Sequence, residues 1–351
     1  MKSVLREIST KVEITALSTD PEQTRAICGV NAERLLCPWE YPLRATEYDR
    51  VFSRVDAILV TGGTPFYDYD HLSRFIHMRL ARRGVPFACF GVGVKRINSP
   101  PGRWLTRWLL SDARRVSVRD VISRKRIENI TGRPVSLTGD SAFFVEPAPN
   151  GAVYALFEKI GIERGEDLAV ICPRALSASN RAHYHDPLSE EQIEFIRMGV
   201  ARTADKLSEA GYTVIFLPMH SASNDDDLVE IRIVRRSMKL PSWIVGGTLD
   251  PHIVASFLGS ASIVVGLRLH SLILAASRGV PIVSVGYDEK IRGFMEYAGV
   301  GDCVSEPTDL TGKALAVVAR GDKVGARLNE SCSSMRARIR EEASVIMESL
   351  C

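Results

Sequence analysis

Four basic or protonatable residues in this 351-residue chain stand just beyond short apolar runs. Val264-Val265-Gly266-Leu267-Arg268-Leu269-His270-Ser271 passes from a β-branched stretch into an Ala-rich helical one. Lys290, twenty residues beyond His270, follows Pro281-Ile282-Val283-Ser284-Val285, and Arg119 follows Val116-Ser117-Val118. A guanidinium at the carboxyl end of a strand suits a two-pronged grip on a carboxylate or phosphate. An imidazole titrates near neutrality and can deliver a proton. Adjacent parallel strands would carry Arg268, His270 and Lys290 to one rim, which predicts an anion site with a proton donor at hand. A lone histidine at such a turn is more often structural; the neighbouring cations favour the functional reading.

Two glycine loops accompany these residues. Gly62 and Gly63 follow the run Ala57 to Thr61, where exposed backbone N–H groups would let a ligand approach, although a tight turn explains them equally well. Gly91 and Gly93 flank Val92 after another apolar run, but no third glycine completes a dinucleotide fingerprint. Pro100-Pro101-Gly102 is expected as a loop before the next helix. Asp120 is placed to cap a helix, and Asp140 either orients Arg119 or caps its own turn.

Other clusters are weaker. His183-Tyr184-His185-Asp186 has metal-like spacing but no further His or Cys ligand nearby, so no metal is expected. Asp225-Asp226-Asp227 resembles a metal-binding acidic cluster but heads a helical segment, where carboxylates favour the helix dipole, and the helix reading is preferred. Arg103-Trp104-Leu105-Thr106-Arg107-Trp108-Leu109-Leu110 is basic, aromatic and amphipathic; its apolar side reads first as core and second as a membrane-surface contact.

The elements that position these residues alternate between short β-branched runs and longer amphipathic segments, as in βα units around a parallel sheet. Strands are predicted at Val12 to Leu17, Arg34 to Cys37, Ala57 to Thr61, Phe87 to Val92, Arg115 to Val118 and Val135 to Leu137. A second series falls at Leu168 to Cys172, Thr213 to Leu217, Trp243 to Val245, Ser262 to Val265 and Pro281 to Val285. Leu72, Phe75, Ile76 and Leu80 form one predicted helical stripe; Met335, Ile339, Ala343 and Met347 form another. A long helix from Glu190 to Ala210 stops at Gly211. These predict an α/β protein of two Rossmann-like doubly wound domains, 1–150 and 168–351, joined by a linker at 151–167, with a ligand-binding cleft between them.

Composition narrows the class. Lys plus Arg number 45 against 42 Asp plus Glu, a net charge of +3 that gives no reason to expect a nucleic-acid partner. Seven cysteines without a CxxC pair read as reduced thiols of a cytoplasmic protein. The N-terminus has no apolar signal region, and the most apolar stretch is interrupted by Arg268, His270 and Arg278.

Together, Thr61-Gly62-Gly63, Gly91-Val92-Gly93, Val118-Arg119-Asp120, Gly139-Asp140, Gly266-Leu267-Arg268-Leu269-His270 and Tyr287-Asp288-Glu289-Lys290 resemble the polysaccharide pyruvyl transferase family. The resemblance implies a GT-B-like fold and transfer of the enolpyruvyl unit of phosphoenolpyruvate to hydroxyls of a glycan or lipid-linked saccharide, giving a pyruvate ketal. Carried over by motif, Arg119, His270 and Lys290 match the family's proposed active-site trio, with Arg268 a further substrate-binding candidate. The implied chemistry needs no cofactor beyond the donor substrate. Family members usually begin with a strand and an Asn-x-Gly-Asp loop. Met1 to Thr10 corresponds to the helix that follows, so that first strand is expected to be missing. Two other functions fit the same cationic rim: a nucleotide-sugar glycosyltransferase, and a non-catalytic anion- or glycan-binding relative.

Overall fold

Apolar runs of four to six residues form the buried strands of two parallel sheets in the computed structural model. The structure describes all residues except 10, 37–39, 69–77, 81, 83, 177–187, 223–224, 248 and 351. The chain divides into two compact units. One comprises Met1–Phe144 and Met335–Cys351, the other Val145–Ser334. The segment expected as a linker carries the helix Asn150–Ile160 and belongs to the second unit. The closing helix, Gly321–Leu350, begins in the second unit and ends in the first.

In the first unit, β1 (Thr15–Ser18) pairs in parallel with β2 (Asn31–Arg34). A four-stranded parallel sheet then runs in chain order: β3 (Ile58–Thr61), β4 (Phe87–Val92), β5 (Val116–Val118) and β6 (Ser136–Leu137). Strand β2 lies upstream of its predicted position. Only Ala32 of its four residues is buried, so a mostly solvated strand gave no apolar signal there. The predicted stripe residues Leu72, Phe75 and Ile76 lie outside the described residues, and Leu80 is 64% exposed rather than core. Pro100-Pro101-Gly102 is the first turn of the helix Pro100–Leu110, not a loop. Ser99 caps it, and proline suits a first position whose N–H would have no helical partner.

The second unit holds a six-stranded, wholly parallel sheet. Its strands in chain order are β7 (Leu168–Cys172), β8 (Thr213–Phe216), β11 (Trp243–Ile244), β12 (Ile263–Gly266), β13 (Ile282–Val285) and β14 (Val304–Ser305). A two-stranded antiparallel pair, β9 (Ser221–Ala222) and β10 (Asp225–Asp226), precedes the helix Asp227–Arg236. The spatial order β11-β8-β7-β12-β13-β14 reverses direction between β7 and β12. In doubly wound sheets the carboxyl ends of the strands at such a reversal form a crevice that binds ligands.

The closing helix keeps Met335, Ile339 and Ala343 buried, then turns Ile346 rather than Met347 inward. A strict four-residue spacing overshoots the 3.6-residue helical repeat, and after three steps the buried face has drifted by one position.

Candidate active site

At the reversal in the second unit, β12 ends at Gly266 and the chain turns into the helix Leu269–Ala276. A Cβ at Gly266 would fall 2.5 Å from Ser271 Oγ and 2.7 Å from Leu272 Cδ2, so only glycine permits a turn this tight. The turn is tied to the strands beside it. Leu267 N donates to Cys172 O (2.9 Å), and the Tyr287 hydroxyl donates to Leu267 O. His270 is the second residue of this helix and is exposed. Arg268 stands at the N-cap of this helix and makes no side-chain capping bond to it among the described residues, and a helix N-terminus favours an anion.

Arg268 is committed elsewhere. Its Nε lies 3.1 Å from both carboxylate oxygens of Asp227, and its Nη2 donates to Oδ1 at 2.6 Å. Asp227 is fully buried and also accepts from Ala175 N and Met219 N, each at 3.1 Å. Asp227 stands in the first turn of the helix Asp227–Arg236, as expected of a carboxylate that favours the helix dipole, but it is buried there. Asp226 caps that helix, accepting from Leu228 N at 2.9 Å, and Asp227 is a buried brace joining the ends of β7, β8 and β12.

One strand further, Lys290 is the second residue of the helix Glu289–Tyr297 and is half-buried. Asp288 caps that helix through Lys290 N (2.9 Å) and accepts from Arg174 Nη1 at 3.3 Å. Arg174, two residues past β7, escaped the sequence reading. The available signal was an arginine immediately after a fully buried strand, Leu168–Cys172, within a βα series. The second unit thus brings Arg174, Arg268, His270 and Lys290 to the ends of three adjacent strands, β7, β12 and β13.

Arg119 belongs to the first unit, at the end of β5. Its Nη1 donates to Asp140 Oδ2 at 2.9 Å and its Nη2 to Thr64 Oγ1 at 3.1 Å. Its Nε is buried and has no hydrogen bond among the described residues, 3.8 Å from Asp120 Oδ2. Asp120 caps the helix Val121–Thr131 through Ser123 N and Oγ. Asp140 both orients Arg119 and closes its own turn through Ala142 N (3.0 Å).

The two glycine loops meet at this guanidinium. Gly93 N donates to Gly63 O at 3.0 Å. A Cβ on Gly93 would lie 2.8 Å from Gly63 O and 2.9 Å from Arg119 Nη2. Gly91 has φ +58° and faces Gly139 O. Gly62 and Gly63 adopt φ +67° and +60°, and a Cβ on either would meet no described atom within 4 Å. Burial pushes the Cys89 thiol on β4 up to about 12 and raises that of Cys172 on β7, so both stay protonated at neutral pH. The metal-like His183 to Asp186 segment lies outside the described residues.

The chain is similar over 99% of its length to a glycosyltransferase from Rickettsia africae ESF-5, at 9% identity, 94% coverage of that chain and a TM-score of 0.64. It is equally similar in extent to a UDP-GlcNAc 2-epimerase from Neisseria meningitidis bound to UDP-GlcNAc, at 16% identity, 94% coverage of that chain and a TM-score of 0.61. At such identities the likeness establishes the fold, a GT-B-like pair of Rossmann-like units. The family model for polysaccharide pyruvyl transferase matches residues 1–289, a span that holds Arg119, Arg174, Arg268 and His270 and stops one residue before Lys290. The chain belongs to the polysaccharide pyruvyl transferase family.

Proposed function

We propose that this protein transfers pyruvate from phosphoenolpyruvate to two hydroxyls of a glycan or lipid-linked saccharide, forming a cyclic ketal. The observation that carries the reading is the family match across residues 1–289, which includes Arg119 and the Gly266-to-His270 turn. Phosphoenolpyruvate bears a carboxylate and a phosphate, so its site needs fixed cations, and charge-assisted hydrogen bonds to it contribute about 1.5–3 kcal/mol each. Arg119, beside the Gly62-Gly63 and Gly91-to-Gly93 loops of its own unit, and Lys290 are assigned to those two groups. Arg268, held by Asp227, serves to fix the turn that carries His270.

His270 acts as the general acid. It protonates the methylene carbon, which leaves oxocarbenium character at the adjacent carbon. One acceptor hydroxyl adds there and loses its proton, phosphate departs with its bonding electrons, and the second hydroxyl closes the ring with release of a second proton. The transferase works in the cytoplasm and, on a lipid-linked acceptor, at the inner face of the membrane; no described helix is long and apolar enough to cross one.

The test is phosphate release from phosphoenolpyruvate in the presence of candidate acceptors. His270→Gln should lower the rate by roughly 10²–10⁴-fold, the usual contribution of a general acid, with the fold intact. An unchanged rate would eliminate His270 as the acid. The nucleotide-sugar alternative draws on the epimerase neighbour solved with UDP-GlcNAc. Thermal stabilisation by UDP and not by phosphoenolpyruvate would favour it.

A further inference from the structure

The helix Pro100–Leu110 carries a surface that includes none of the residues assigned to pyruvyl transfer. Gly102, Thr106, Leu109 and Leu110 form its buried face. Trp104, on another side, is 67% exposed, and its ring stacks on Trp108 with centroids 6.4 Å apart and planes inclined by 7°. Arg79 lies over the Trp108 ring at 4.0 Å, so the inner indole is packed while the outer one is presented to solvent.

The rim of this indole pair is basic. Arg103 and Arg107 flank Trp104 and donate to Asn129 O (3.2 Å) and Ile130 O (2.7 Å) of the neighbouring helix. Each guanidinium is thereby anchored near a helix C-terminus, where a cation is favoured. Arg133 reciprocates with Ser111 O at 3.3 Å. Asp112, the nearby acid, is engaged by Arg79 and Arg82. Between Lys95 and Arg133 the sequence has eleven basic residues against three acidic, whereas the whole chain carries only +3.

An exposed, fixed indole framed by arginines matches the interface of an anionic bilayer. Indoles settle at headgroup depth, and arginines are drawn to the negative surface. A neutral sugar could also stack on Trp104, but it would leave the arginine frame unanswered. We propose that the Trp104 face of this helix docks the protein onto an anionic phospholipid surface. This goes beyond the transferase reading and does not depend on it.

The test is co-sedimentation of the full chain with vesicles of phosphatidylcholine alone or of equimolar phosphatidylcholine and phosphatidylglycerol. Binding to the anionic vesicles only, released by high salt, is expected. Trp104→Ala should weaken it by roughly tenfold, and the double variant Arg103→Glu/Arg107→Glu by at least about as much. Because Trp104 is exposed, Trp104→Ala should keep the wild-type unfolding temperature and its phosphate release with a soluble acceptor. A failed transferase assay therefore leaves the vesicle result readable. Equal binding to neutral vesicles, no binding to either, or wild-type binding by Trp104→Ala would overturn the proposal. So would loss of soluble-saccharide binding by Trp104→Ala with vesicle binding unaltered, which would make the indole a sugar platform.

Discussion

Both units set an arginine beyond the end of a parallel strand, and the two arginines are held differently. Arg119 divides its guanidinium among Asp140, Thr64 and a buried Nε with no hydrogen bond among the described residues, against a glycine loop that leaves room for it. Arg268 gives both Nε and Nη2 to one fully buried carboxylate. Sheet order differs in parallel. The second unit's sheet reverses between β7 and β12, where Arg174 and Arg268 stand, while the first unit's four-stranded sheet adds its strands in one direction. A strand end supplies the position of a cation; the partners facing it decide how much of its hydrogen-bonding capacity is spent within the fold.

The sharpest way to break this contrast is Asp227→Ala. The change leaves the Arg268 guanidinium and two backbone N–H groups without their acceptor in a buried place. Removing one member of a buried pair typically costs about 3–5 kcal/mol. For a unit of this size, that lowers the unfolding temperature by on the order of 10 °C. Calorimetry checks it, and an unfolding temperature like that of the wild type would return Arg268 to the substrate-binding residues.

A pair of glycine variants probes the other half of the comparison. In Gly93→Ala the new methyl must displace either the Gly63 carbonyl or the Arg119 guanidinium. Overpacking of this kind costs about 1–3 kcal/mol. A displaced cation lowers turnover by on the order of 10²-fold, as ångström-scale misplacement does. In Gly62→Ala the methyl meets no described atom within 4 Å, and only the left-handed backbone at φ +67° is penalised, by about 1–2 kcal/mol. Gly93→Ala should therefore lose phosphate release well beyond its stability loss, and Gly62→Ala should not. Equal activities for the two would detach Arg119 from the chemistry.

Much of this was legible in the sequence because it is written in local pattern. Leu168–Cys172 and Ile282–Val285 are unbroken apolar runs, the mark of strands buried on both faces. The Gly266-to-His270 turn announced itself as a strand running into a helix. What stayed hidden depends on long-range partners or on very short elements. Asp227 and Arg268 are 41 residues apart, and Arg174 and Asp288 are 114 apart, so no window along the chain relates them. The two-residue strands β9, β10 and β14 are too brief to show a period.

The smallest expected effect concerns what the two units share, a buried thiol on a central strand: Cys89 in one and Cys172 in the other. The Cys89 thiol is raised by burial from the ordinary 9.0 to about 12. Between those values the folded chain holds a proton that the unfolded chain has released, so stability is full below pH 9 and falls as pH rises towards 12. The slope is on the order of 1.4 kcal/mol per pH unit for each such thiol. Cys89→Ala forfeits packing at every pH but removes one thiol's share of that slope. Urea unfolding of the wild type and Cys89→Ala across this range isolates the share, because lysines and tyrosines that titrate in the same window are common to both chains. Parallel stability curves would mean that the β4 thiol ionises as readily in the folded protein as in water, which is incompatible with the burial that separates β4 from solvent.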